Sequence, residues 1–115
     1  MWIMSKQGFY SIVAHEDLTD TYQVRSRARQ DLENLLMLLG GALDGITIKE
    51  TPHNDYAYRI LVTGPQKAAI LAALGEEIDY PNFKSEIARR SDQRDKLDAY
   101  HEIWAVMYRT QRLVR

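Results

Sequence analysis

Arg25 and Arg27 stand two residues apart in Val24-Arg25-Ser26-Arg27, and Arg59 stands in Tyr58-Arg59-Ile60. A guanidinium presents a planar fork of N–H donors that pairs two at a time with phosphate or carboxylate oxygens, so three on one surface would hold an anion. That chemistry requires a common face. Tyr22, Val24 and Ser26 alternate with Gln23, Arg25 and Arg27, and Tyr56, Tyr58 and Ile60 flank Arg59 in the same way. Alternation therefore turns the three arginines to one side of a sheet and Tyr22, Tyr56 and Tyr58 to the other. Two readings stand: ligand or nucleic-acid contacts through Arg25, Arg27 and Arg59, or structural and interface arginines paired with Asp or Glu. Tyrosines beside arginines are a feature of sheets that stack single-stranded RNA, but these tyrosines are expected in the core, and no stretch has the aromatic signature of the RNA-recognition fold.

Other chemistry is poorly supplied. There is no cysteine, which removes disulfides, thiolate metal sites and cysteine nucleophiles together. His101-Glu102 opens like the zinc-protease helix motif, but Ala105 stands where the second histidine belongs. His15, His53 and His101 lie on different elements, so no metal site and no cofactor are expected. His15-Glu16-Asp17 and Glu76-Glu77-Asp79 read as a solvated loop and a helix end. No serine has the glycine-flanked setting of a nucleophile elbow, and Thr63-Gly64-Pro65-Gln66-Lys67 resembles no phosphate loop beyond a Gly and a Lys near a helix start.

A second constellation lies near the carboxyl terminus, where Leu97, Tyr100, His101, Trp104, Met107, Tyr108 and Gln111 fall on one helical stripe. Tyr100, Trp104 and Tyr108 are either core or a shared dimer surface, since aromatic and arginine side chains concentrate at interfaces. Arg109, Arg112 and Arg115 follow the last acid and complement the dipole at the helix end. Tyr80, Lys84, Asp98 and His101 mark a third candidate, a pocket between sheet and final helix.

The elements that position these groups follow from periodicity. Gly8 to Ala14 and Thr21 to Arg27 form a hairpin; Leu32, Leu35, Leu36 and Leu39 mark an amphipathic helix ended by Gly40-Gly41. Ile46 to Glu50 and Tyr56 to Thr63 form a second hairpin around Pro52-His53-Asn54-Asp55. A helix opening at Gly64-Pro65 buries Ile70, Leu71, Leu74 and Ile78 and is expected to end at Gly75. A short helix over 83–89 and a long one over about 92–112 complete the chain. The order ββαββα plus a long helix predicts a single α+β domain over 1–115, with a four-stranded antiparallel sheet in spatial order 1-2-4-3. This is a circularly permuted ferredoxin-like arrangement, with helices on one face and the last helix either joining them or crossing the other face.

Composition bounds the function. At 115 residues with 15 basic and 16 acidic side chains, the chain has a core but no global field to draw in nucleic acid or anionic membrane. The start has neither signal-peptide region and no segment approaches a membrane span, so a cytoplasmic location is expected.

Met1-Trp2 with Ser5-Lys6-Gln7-Gly8-Phe9-Tyr10-Ser11-Ile12-Val13, Val24-Arg25-Ser26-Arg27, Asp31-Leu32-Glu33, Asp55-Tyr56-Ala57-Tyr58-Arg59-Ile60, residues 78–84 (Ile-Asp-Tyr-Pro-Asn-Phe-Lys) and residues 100–107 (Tyr-His-Glu-Ile-Trp-Ala-Val-Met) together resemble a family of short bacterial proteins of uncharacterised function. The resemblance spans nearly the whole chain and implies no activity, cofactor or catalytic residue. The leading expectation is a non-enzymatic binding or assembly module that self-associates as a homodimer. The alternatives are a phosphate, nucleotide or RNA-binding module using the arginine-bearing face, and an enzyme using the pocket near the last helix.

Overall fold

Period-two alternation over Phe9–Ala14 (β2), Thr21–Ser26 (β3) and Tyr58–Thr63 (β5) builds the centre of an antiparallel sheet. Lys49–Glu50 (β4) pairs along the outer edge of β5, and Trp2–Met4 (β1) along the outer edge of β2. The computed structural model describes residues 1–114 and divides into two compact units, Met1–Asp79 with this sheet and a helical unit from Tyr80 onward.

The sheet order is β1-β2-β3-β5-β4, so the expected four strands are five. Within it β2, β3, β5 and β4 keep the expected 1-2-4-3 order. The added strand is short, and its turn holds it: the Ser5 hydroxyl donates to the Gly8 carbonyl at 3.0 Å and accepts from the Gln7 and Gly8 amides. Lys6, in the same turn, pairs with Asp79 at 2.8 Å, and Gln7 donates to Glu77. The acidic stretch expected as a helix end thus also anchors the hairpin. The expected strand over 46–50 keeps only its last two residues, because the Ile46 amide is bonded to Leu43 in a 3-10 turn.

Arg29–Leu39 (α1) and Gly64–Glu76 (α2) bury Leu32, Leu35, Ile70 and Leu74 against Tyr10, Ile12, Val24, Ile60 and Val62. Full burial of each such side chain contributes roughly 1.5–3 kcal/mol. Gly40 ends α1 at φ +54°, a conformation glycine adopts without steric cost. Thr63 and Gln66 cap α2 reciprocally, each side chain satisfying the other's backbone amide. The helix runs one residue past Gly75, and Ile78, expected in its buried stripe, lies beyond its end and is 66% exposed.

Phe83–Arg89 (α3) and Leu97–Val114 (α4) form the second unit, joined by a 3-10 turn at Arg94–Lys96. Asn82 caps α3 through the Ser85 amide at 2.9 Å. Tyr100 is buried and packs on Phe83 with ring centroids 5.3 Å apart. Arg115, expected to complement the end of the last helix, lies outside the described residues. No described helix is long and apolar enough to cross a membrane.

The β2–α1 junction admits no extra atom. Asp31, buried in the first turn of α1, accepts from the Phe9 amide at 3.1 Å, while the Tyr10 hydroxyl donates to the Asp31 carbonyl at 2.6 Å. A Cβ on Gly8 would stand 2.5 Å from Asp31 Cβ. Gly8→Ala is therefore expected to destabilise by about 1–3 kcal/mol, read as a lower urea midpoint. Thr63→Ala, losing the α2 cap, is expected to cost about 1 kcal/mol in the same measurement.

Candidate functional site

The face of the sheet turned away from α1 and α2 carries the three arginines. In the register, Ser11 lies opposite Arg25, Arg25 opposite Arg59, and Arg59 opposite Lys49. Arg27 continues the same side just past the end of β3. The strand alternation read from the sequence brings Arg25, Arg27 and Arg59 together as expected.

Their surroundings differ from expectation. Among the described residues no carboxylate lies within 4.0 Å of any of the three; carboxylates pair elsewhere, as in Lys6 with Glu77 and Asp79, Arg29 with Glu33, and Arg89 with Glu86. Pairing of the cluster with Asp or Glu is thus not what holds it. Arg25 Nη2 donates to Ser11 Oγ at 2.7 Å, and Arg27 Nη1 to the Asp55 carbonyl at 2.7 Å. Arg59 donates to Gln23 Oε1 at 2.7 Å, to the Tyr56 carbonyl at 3.2 Å and to Thr51 Oγ1 at 3.3 Å. All these acceptors are neutral. The Nε of Arg25 is buried without an acceptor.

Tyr56 organises the cluster. Its ring lies beneath both the Arg25 guanidinium, 4.6 Å from the centroid, and that of Arg27, at 4.3 Å, and the residue is only 3% exposed. A π face attracts a cation by about 0.5–2 kcal/mol, more as water is removed. Tyr56 is buried as expected, but on the arginine side and not the side alternation assigns it: it precedes β5, in the bend closed by the Thr51 amide on the Ala57 carbonyl, where strand parity no longer applies. Tyr22 and Tyr58 do pack against the core.

Sequence reasoning also missed Trp2 and Phe9. Trp2 lies opposite Ser11 in β1, and its ring meets that of Phe9 at 6.5 Å on the arginine side. Trp2 is 74% exposed. The signal was present: two apolar runs flank Ser5-Lys6-Gln7-Gly8, a turn-length connection ending in glycine.

In the second unit, Tyr100 is core whereas Trp104 and Tyr108 remain half exposed. His101, Trp104 and Tyr108 stack in succession at 5.7 and 5.4 Å, with Lys84 over the Trp104 ring at 4.8 Å. Ile103, Val106, Met107 and Leu113 are also exposed, so the second half of α4 is apolar on more than one side. A shallow depression of about 470 Å³ is lined by Asn82, Lys84, Ser85, Ala88, Leu97, Asp98 and His101. Lys84, Asp98 and His101 therefore meet as expected, with Lys84 Nζ 3.3 Å from His101 Nδ1. Tyr80 does not line it and packs on Phe83 instead. Among the described residues no group of three or more His, Cys, Asp or Glu is placed to hold a metal.

The arginine cluster is the more developed site, because it has several cations, a built support and, among the described residues, no carboxylate within 4.0 Å. Comparison with family models, curated proteins and solved structures gives no match to this chain.

Proposed function

We propose that the protein is a non-enzymatic binding module that takes a phosphate-bearing ligand on the arginine face of its sheet. The observation that carries this reading is the gathering of Arg25, Arg27 and Arg59 around Tyr56 with no carboxylate within 4.0 Å among the described residues. Like charges on facing strands repel, and each guanidinium has five N–H donors. Arg25 and Arg27 commit one each to neutral oxygens, which leaves forks for an anion. Hydrogen bonds to charged groups contribute about 1.5–3 kcal/mol each.

The sheet β2-β3-β5-β4 with α1 and α2 is read as a circularly permuted ferredoxin-like fold, β2 taking the place of that fold's last strand. A cytoplasmic setting accords with the cysteine-free composition.

A second reading, assembly of two copies, draws on α4. Asp98 and Glu102 occupy its first half, Arg109 and Arg112 its second. Two such helices laid antiparallel set the acids of one near the bases of the other, with Ile103, Val106 and Met107 between them.

Two outcomes test these readings. Tripolyphosphate binding, followed by calorimetry, is expected to weaken as salt rises and to fall at least about 10-fold when Arg27 and Arg59 are both replaced by Ala; unchanged affinity in that variant rejects the site. In sedimentation, a dimer fraction is expected to grow with protein concentration and to vanish in Met107→Glu. A single monomeric species up to the solubility limit rejects the assembly reading.

A further inference from the structure

We infer that the ligand of this face is single-stranded nucleic acid, lying across the strands with a base on Trp2 and phosphates on Arg25, Arg59 and Lys49. The inference rests on the phosphate-binding reading above and adds the ligand's class and direction.

The register carries it. Trp2 lies opposite Ser11, Ser11 opposite Arg25, Arg25 opposite Arg59 and Arg59 opposite Lys49, so five side chains form one row crossing every strand. Four strand spacings of about 4.8 Å make the row about 19 Å long, which suits a chain of several nucleotides better than one phosphate group. The row is graded. Its β1 end is aromatic, Trp2 being widely exposed with Phe9 at its side, and its β3, β5 and β4 positions are cationic, with Arg27 adjacent and no acid in the row. A nucleic-acid strand has the matching alternation of flat apolar bases and charged phosphates, and sequence-tolerant single-strand binders combine stacking aromatics with a cationic track. A base inside a duplex offers no free face to Trp2, so the row selects against paired strands.

Overall charge sets the strength. With 15 basic and 16 acidic residues the whole molecule adds no attraction, and only the local cations act. Three or four phosphate contacts on a single strand give a slope of log K against log salt of about −2 to −3.

The test uses the full chain with Trp104→Phe, which leaves Trp2 as the reporting tryptophan. Its probes are a twelve-nucleotide uridine RNA, that RNA paired with its complement, and tripolyphosphate. The single strand is expected to quench Trp2 fluorescence, to bind with the slope above and to outbind the duplex. Trp2→Ala is expected to weaken it about 5- to 150-fold, Trp2→Phe to keep most of the affinity, and tripolyphosphate to bind both variants alike. If tripolyphosphate binds through the arginines while the single strand binds no tighter and ignores Trp2→Ala, the inference is overturned and the phosphate site stands. If neither probe binds, both fall.

Discussion

The structure depends on a one-residue offset between two rows that cross the sheet. Ile12, Val24 and Ile60 are mutually opposite and face α1 and α2. Ser11, Arg25 and Arg59, one position earlier on β2, one later on β3 and one earlier on β5, are mutually opposite on the other side. Because strand side chains alternate strictly, turning the first row to the helices turns the second to the opposite side. A slip of one residue on β3 would drive Arg25 into the core and bring Val24 out. The same hydrophobic burial that stabilises the first unit therefore holds the arginine cluster in register.

That cluster carries an electrostatic cost. Arg25 and Arg59 face each other directly, and like charges so placed destabilise a strand pair. The surroundings offset this without neutralising it. The Tyr56 ring takes two guanidiniums on its π face, and Ser11, Gln23, Thr51 and two backbone carbonyls accept from the three arginines. Neutral acceptors position a cation yet leave its charge in place. An acid at any of these positions would have made the cluster a structural ion-pair network instead.

The helical unit obeys a different constraint. A helix apolar on several sides is ordinarily covered on several sides, yet within its own unit α4 packs on α3 chiefly through Tyr100 and Phe83, and Trp104 and Met107 stay 53% and 59% exposed. Stacking of His101, Trp104 and Tyr108 along the helix removes part of that apolar area from water.

Alternation and helical period made the central strands, both leucine-bearing helices, the short helix over 83–89 and the common face of Arg25, Arg27 and Arg59 legible in the sequence, because these depend on local spacing alone. Trp2–Met4 was harder to read: three residues are too few to display a period, and pairing with β2 makes them a strand. Tyr56 was misread because a bend just before β5 breaks the parity its neighbours obey. Ile78 was misassigned because the helix stops before reaching it. Sequence by itself thus determined which side chains share a face within the regular strands and helices. Only the tertiary structure decided that Tyr56 supports the arginines, that Trp2 extends their row, and that no described carboxylate comes within 4.0 Å of them, since distances between residues far apart in the chain are set by packing and leave no periodic trace.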